Sequence, residues 1–115
     1  MDKTSYVYIL ASHRNGTFYT GVTSDIVLRI SQHRNGVFPG FTHDHRITAL
    51  VWYEALPNVE TAIAREKSIK RWRRSWKMAL VEGMNPDWTD LWPTLFGDVA
   101  VMPLPRKPGP GSSPG

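Results

Sequence analysis

The sequence predicts an α+β fold in which a central three-stranded antiparallel β-sheet is flanked by helices, in the order β-β-α-β-α-α. Two strand-like stretches, 5–12 and 18–23, flank an Asn15-Gly16 pair, which is the strongest short signal for a β-hairpin. A third strand is predicted over 47–56, and apolar residues then recur at helical spacing. An antiparallel sheet covered by helices is the natural way to bury these elements.

The hairpin is expected to place two tyrosines on one face of the sheet. With the Asn-Gly pair at the centre of the turn, Tyr8 lies opposite Thr23 and Ser12 lies opposite Tyr19. Because side chains alternate between the two faces of a sheet, these four residues share a face. Tyrosines at such positions are usually packing residues. A tyrosine that acts as a base needs a nearby cation, because its unperturbed pKa is about 10.

A first helix is predicted from a cap at Thr23 or Ser24 to about residue 34, where Asn35-Gly36 ends it. Two polar residues join its inner side. An arginine and a histidine four residues apart reach a common point, where the guanidinium suits a phosphate and the imidazole can transfer a proton. A snorkelling arginine and a hydrogen-bonded core histidine are the structural alternative. The residues of this side are Ile26, Arg29, Ile30 and His33.

A second helix begins after an Asn58 cap and carries one carboxylate, Glu66, in the middle of its apolar face. Burying an unpaired carboxylate costs several kcal/mol, so it either pairs with a lysine or arginine or binds a cation. Mg²⁺ is such a cation, held by one or two carboxylates together with waters and phosphate. The apolar face is expected to consist of Val59, Ala62, Ile63 and Ile69.

The positive charge is concentrated in one segment. Seven of the 14 Lys and Arg residues lie between Arg65 and Lys77, where Glu66 is the only acid. This pattern is typical of a phosphate-backbone binder, although such a run is more often a solvated helix face. Trp72 is the best candidate for stacking on a base. The residues expected to contact nucleic acid are Lys67, Lys70, Arg71, Arg73, Arg74 and His45.

The remaining segments are predicted to contain a helix break, a third helix and a loop. The apolar phase drifts near 73–75, which predicts a break before a third helix over 76–82. A loop is predicted over 37–46; its His43-Asp44-His45 tripeptide suits nucleic acid better than a metal, because neighbours in a loop rarely converge on one ion.

Composition indicates a single domain over 1–92, followed by a Pro/Gly-rich extension over 93–115 that is expected to be disordered from residue 103. The absence of cysteine excludes disulfides and thiolate metal sites. There is no leader-like start and no apolar run near the roughly 18 residues that span a membrane. A soluble, cytoplasmic monomer with a net charge of +4 is expected.

Four short motifs in this order resemble those of the GIY-YIG nucleases. The tyrosines and Gly21 match the paired signature, whereas Tyr6, Val7 and Thr20 depart from its literal letters. The matching segments are Tyr6-Val7-Tyr8 with Tyr19-Thr20-Gly21, then 21–36, then 64–72 with the metal-binding glutamate, then 85–91, the closing motif of small stand-alone bacterial members.

The resemblance implies an endonuclease that hydrolyses a nucleic-acid phosphodiester in one step with a single Mg²⁺ or Mn²⁺ ion. Either tyrosine would help to deprotonate the attacking water, with Tyr8 favoured. The arginine would neutralise charge on the transition state, and the histidine would contact the phosphate or the water. Val22 stands where some relatives carry a lysine. The implied catalytic residues are Tyr8, Tyr19, Arg29 and His33, the implied metal ligand is Glu66, and Gly21 and Asn85 would support the site.

Three functions compete for this sequence. The first is an endonuclease, with DNA as the expected substrate and a role in DNA repair or processing. The second is a non-catalytic DNA- or RNA-binding module that retains the fold, and the third is an adaptor that binds proteins through its tryptophans. The joint presence of two phenols, a guanidinium and a carboxylate favours the endonuclease, because a mere binder has no use for a carboxylate that repels phosphate.

Overall fold

The computed structural model describes residues 3–13, 16–35 and 47–96. Its three strands form one antiparallel sheet in the order β2-β1-β3. The predicted fold class and order of elements are confirmed, and a closing 3-10 helix is added to them. The elements are β1 Ser5–Ala11, β2 Phe18–Thr23, α1 Ile26–Arg34, β3 Ala49–Leu56, α2 Val59–Arg71, α3 Arg74–Met84 and the 3-10 helix Trp92–Phe96.

The central strand, β1, is buried on both faces, because helices cover the sheet from both sides. One face of β1 packs against α2 and α3, and the other packs against α1. Tyr8 therefore lies on the α1 face, whereas α2 with Glu66 covers the opposite face. The first core contains Val7, Ile9, Ala11, Ala62, Ile69 and Val81, and the second contains Tyr8, Leu10, Ile26, Ile30 and Leu50.

The hairpin register differs from the predicted one by two residues. Tyr8 lies opposite Gly21, and Tyr19 lies opposite Leu10. The shift arises because Ser12 N–H donates to the Thr17 carbonyl (3.1 Å), which closes a longer turn than the two-residue one expected. A shift of two preserves the face of every side chain, so Tyr8 and Tyr19 still share one face.

The helix ends show one corrected cap and one confirmed cap. Helix α1 is capped by Asp25, whose Oδ1 accepts from Leu28 N–H at 3.1 Å, and not by Thr23 or Ser24. Thr23 instead supports the cap, since its hydroxyl accepts from Asp25 N–H (3.0 Å). Helix α2 starts after Asn58 as predicted, with Oδ1 accepting from Thr61 N–H at 2.8 Å.

The buried face of α2 is rotated from the predicted one. Ala62 and Ile69 are fully buried, but Val59 and Ile63 are 47% and 40% exposed. At about 100° per residue, a face centred between Ala62 and Ile69 leaves Glu66 at its edge and not in its middle. The carboxylate is therefore partly exposed, with 18% of its side-chain surface accessible.

The segment that follows α3 covers the free edge of β3. Asp90 accepts from Leu50 N–H at 3.2 Å and binds Arg34 at 2.7 Å, so it joins β3 to α1. Trp88 is fully buried at a positive φ of 53°, which is strained for a bulky residue and is held by packing. Its indole N–H donates to Glu82 (2.9 Å). Within the described residues, no helix is long and apolar enough to cross a bilayer.

Candidate active site

Three rings meet where β1, β2 and α1 come together. The Tyr8 hydroxyl and His33 Nε2 are 3.1 Å apart in a buried hydrogen bond. The ring centroids of Tyr8 and Tyr19 are 6.3 Å apart, and those of Tyr19 and His33 are 5.4 Å apart. Two phenols and one imidazole, which are far apart in sequence, therefore form a single cluster.

Tyr8 is the fully buried member of this cluster. It has no exposed surface, whereas Tyr19 is half-buried. Burial raises the pKa of Tyr8 to about 12; Tyr19 adds to the increase, Arg29 opposes it through its charge and a side-chain hydrogen bond, and Glu66 adds a smaller increase. Arg29 therefore lies at this phenol, whereas Glu66 belongs to α2, which packs against the opposite face of the sheet, and has only the smallest influence on Tyr8.

His33 is held in its neutral form. Burial lowers its pKa below the usual 6.5, and the nearby charge of Arg29 lowers it further. A neutral imidazole has one ring nitrogen that accepts a hydrogen bond. Nε2 can therefore accept from the Tyr8 hydroxyl and is available as a proton acceptor near neutral pH.

Gly21 leaves room for the Tyr8 ring. A Cβ at position 21 would lie 2.5 Å from the Tyr8 hydroxyl oxygen, 2.6 Å from its Cζ and 3.1 Å from Cε1 of Tyr19. Any other residue there would displace one or both phenols. The glycine of the second signature triplet is thus required by the close approach of a ring to the backbone.

Glu66 forms an ion pair with Lys70 of the same helix. Its Oε2 lies 3.3 Å from Nζ of Lys70, whose side chain is 51% exposed. Because half of the Lys70 side chain is in solvent, this i, i+4 pair is worth only about 0.5 kcal/mol, and a divalent ion could displace the lysine. A partly exposed carboxylate that already attracts a cation fits a hard metal ion completed by water and phosphate oxygens.

The sequence also matches a known family model. The GIY-YIG catalytic domain model matches residues 4–79, which include both tyrosines, the arginine and the glutamate. The chain belongs to the GIY-YIG family. The domains of this family are nucleases and generally use divalent metal ions.

Relatives within the family are UPF0213 proteins. The chain is 37% identical to one from Staphylococcus saprophyticus over 70% of its own length and 96% of the relative. It is 35% identical to one from Clostridium perfringens, over 67% and 82% of the two chains. The solution NMR structure of a UPF0213 protein from Bacillus halodurans is 34% identical, covering 71% of this chain and 86% of that one, with a TM-score of 0.46.

The basic residues of this GIY-YIG domain differ in how far they are free to contact a ligand, because some are exposed and others contact the protein itself. Lys67 and Arg71 project from the exposed side of α2, and Lys70 lies beside Glu66. Arg73 lies over Trp76 (4.8 Å from its guanidinium carbon to the ring centroid). Arg74 donates to the Gly16 carbonyl and lies over Phe18 at 4.2 Å, so it also anchors α3 to the hairpin. His45 and the tripeptide 43–45 lie outside the described residues.

The side chain of Asn85 hydrogen bonds to backbone groups of β3 and of the segment after α3. Its amide nitrogen donates to the carbonyls of Val51 (3.0 Å) and Thr89 (2.8 Å), and its Oδ1 accepts from Thr89 N–H (3.0 Å). Val51 is the extra residue of a β-bulge opposite Ile9 and Leu10. These bonds support a structural role, because they fix the closing motif to β3.

Two contacts near the site have only weak signals in the sequence. Arg65 donates to Glu54 at 3.0 Å and lies over Trp72 (5.4 Å), so it ties α2 to β3. The pairing of Arg34 with Asp90 joins residues 56 positions apart. Neither partner could be chosen from the sequence, because several other charged residues stand at comparable positions.

Proposed function

We propose that this GIY-YIG domain is a metal-dependent endonuclease that hydrolyses a phosphodiester bond in nucleic acid, with DNA as its substrate and a role in DNA repair or processing. The observation that carries the proposal is the cluster of Tyr8, Tyr19 and His33, in which the Tyr8 hydroxyl hydrogen bonds to His33 and the Tyr8 side chain also hydrogen bonds to Arg29. A binding module has no use for two phenols and a neutral imidazole gathered beside a guanidinium.

Arg29 is proposed to bind the scissile phosphate. It is half-buried on the inner side of α1 and hydrogen bonds to the Tyr8 side chain. A guanidinium fixed in this way offers further N–H donors to phosphate oxygens and stabilises the charge that develops in the transition state. Its charge also keeps the neighbouring imidazole neutral.

Tyr19 is proposed to contact the attacking water. Water cannot reach the Tyr8 hydroxyl directly, because that side chain has no exposed surface and its pKa is raised to about 12. Tyr19 is half-buried in the same cluster and is therefore the phenol that a substrate can approach. The rings of Tyr8 and His33 lie beside it, and the hydrogen bond that the Tyr8 hydroxyl donates to His33 Nε2 fixes these two rings.

Glu66 is proposed to hold one Mg²⁺ or Mn²⁺ ion in place of its contact with Lys70. When bound, the ion would polarise the phosphate and stabilise charge on the leaving oxygen. The task of the protein here is to present one carboxylate at the edge of the buried face of α2, where water has access.

The proposal predicts different effects for two tyrosines of the same core. Tyr19→Phe should lower single-turnover cleavage by about 100-fold or more, because general-base assistance contributes roughly 10² to 10⁴. The control is Tyr53→Phe, a half-buried tyrosine packed against the same α1-side core, which should cut within a few-fold of wild type. The assay is a panel of labelled duplex, flap, branched and single-stranded nucleic acids with Mg²⁺ or Mn²⁺.

If the wild-type protein binds these substrates but cuts none of them with either metal, the domain is a binding module. If Tyr19→Phe cuts like wild type, the water contact belongs to another residue. Affinity of every variant is measured in EDTA, so that a loss of binding is separated from a loss of chemistry.

A further inference from the structure

An aromatic surface lies at the junction of α2 and α3 and has no role in the proposed chemistry. Trp76, in the first turn of α3, is 53% exposed. The guanidinium carbon of Arg73 lies 4.8 Å from the centroid of its ring. We refer to Arg73 and Trp76 together as the Arg–Trp platform. An indole with open ring surface beside a guanidinium can stack on a flat ring and pair with an anion at once, which makes this pair a candidate binding surface.

The platform is held in place from behind. Trp72 meets Trp76 edge to face, with ring centroids 6.2 Å apart and planes at 79°. Trp72 itself packs against the core under α2 and α3, and Arg65 lies over it. The sequence favoured Trp72 for stacking, but this residue is half-buried and supports its neighbour. Trp76 is the indole that offers open ring surface.

The platform is also fixed relative to the hairpin. Arg74 begins α3, donates to the Gly16 carbonyl and lies over the Phe18 ring at 4.2 Å. The residue after Phe18 is Tyr19. The first turn of α3 is thus anchored to β2, the strand that also carries the half-buried Tyr19, although Phe18 and Tyr19 lie on opposite faces of the sheet.

We propose that the Arg–Trp platform binds an unpaired base of the nucleic-acid substrate, so that the preferred substrate contains a single-stranded segment. An indole stacks on any base, and a neighbouring guanidinium pairs with the phosphate beside it. A duplex hides the faces of its bases. Charge favours this occupant, because seven cations and a single acid lie between Arg65 and Lys77. The inference rests on the proposed function in one respect, which is that the partner is a nucleic acid.

The test is equilibrium binding in EDTA, where no metal-dependent cleavage occurs. Labelled single-stranded DNA, single-stranded RNA of the same sequence and the corresponding DNA duplex are titrated with wild type, Trp76→Ala and Trp76→Phe. The control is Met84→Ala, another exposed apolar residue at the opposite end of α3. Thermal unfolding of each variant shows that it is folded, and Trp76→Phe tests stacking with a ring retained.

Trp76→Ala should weaken single-strand binding by about tenfold or more, the loss expected for one stacked base. Trp76→Phe should lose less, and duplex binding and Met84→Ala should stay near wild type. The salt dependence of binding should be unchanged in Trp76→Ala, because an indole releases no counterions. The RNA and DNA strands show which sugar the platform accepts.

Equal single-strand affinity for Trp76→Ala and wild type would overturn the inference and leave the indole to a protein partner. An equal loss on single strand and duplex would also overturn it. A protein that passes this test but cuts nothing refutes the proposed nuclease and leaves this inference standing. A protein that cuts only duplex, and whose single-strand binding does not depend on Trp76, supports the proposed nuclease and refutes this inference.

Discussion

At the scale of single residues, burial separates two tyrosines that the sequence treats as equals. Tyr8 and Tyr19 occupy matching positions in the paired signature, but only Tyr19 retains exposed surface. The sequence-based preference for Tyr8 as the base stays a prediction without a test. The raised pKa of Tyr8 is the physical reason to assign the water contact to Tyr19 instead.

The protonation of His33 predicts the acid limb of the pH profile. The neutral imidazole is the form that accepts from the Tyr8 hydroxyl, and burial with the charge of Arg29 lowers its pKa below 6.5. Activity should therefore persist at pH 6.5 and be lost as the pH falls through this lowered pKa. The measurement is the single-turnover rate against pH at saturating metal.

His33→Gln is the companion variant, since it removes the titrating group. Its acid limb should disappear or move to another group, together with a lower maximal rate. An acid limb in the wild-type enzyme with a midpoint above 6.5 would contradict the account, because it would require an imidazole stabilised in its charged form.

At the scale of elements, the closing segment stabilises the fold through one side chain. Asn85 is 4% exposed and satisfies backbone groups of Val51 and Thr89. Asn85→Ala should lower the free energy of unfolding by about 1–3 kcal/mol, because buried polar groups lose their partners. The control Asn35→Ala removes an exposed amide at the end of α1 and should change stability by less than about 0.5 kcal/mol.

Urea denaturation measures both variants. Cleavage per folded molecule of Asn85→Ala should remain near that of wild type, since the side chain is occupied by the backbone. A large loss of turnover with unchanged stability would instead give Asn85 a direct part in the chemistry.

Most of the architecture could be predicted because it follows from local patterns. Alternation, an Asn-Gly turn signal and the Asn58 cap are sufficient for the strands and for the start of α2. The hairpin register could not be predicted, because a longer turn closed by Ser12 and Thr17 keeps every side chain on the same face. The rotation of α2 depends on packing against the sheet, which decides that Ile63 is exposed.

The same limit applies to the candidate site. The sequence predicted which residue types gather, since Ile26, Ile30 and His33 share the inner side of α1 as expected. It could not predict that Glu66 lies at an edge with Lys70, or that Tyr8 is sealed, because both depend on how three elements meet. The boundary at residue 92 and the extension 93–115 remain predictions, although Leu95 packs against the core and 97–115 lie outside the described residues.

At the scale of the whole molecule, the charge of α2 should set the salt dependence of nucleic-acid binding. Replacing its exposed cations Lys67, Lys70 and Arg71 with glutamine should weaken affinity and reduce the slope of log K against log salt by up to about 0.9 for each phosphate that is no longer neutralised. Lys3→Gln, exposed before β1, should leave the slope unchanged. Binding isotherms at several salt concentrations provide the slopes, and an unchanged slope in the triple variant would place the binding surface elsewhere.

The central claim is that the carboxylate of Glu66 is required for hydrolysis. Glu66→Gln preserves the shape of that side chain and removes its charge, and Glu60→Gln is the matched control, because it is an exposed glutamate in the first turn of the same helix. The decisive measurement is Mg²⁺- or Mn²⁺-dependent nicking of labelled DNA by both variants, beside their DNA affinity in EDTA. The account predicts that Glu66→Gln loses nicking while its metal-free affinity is equal or tighter, and that Glu60→Gln behaves as wild type. Nicking by Glu66→Gln at the wild-type rate would contradict it.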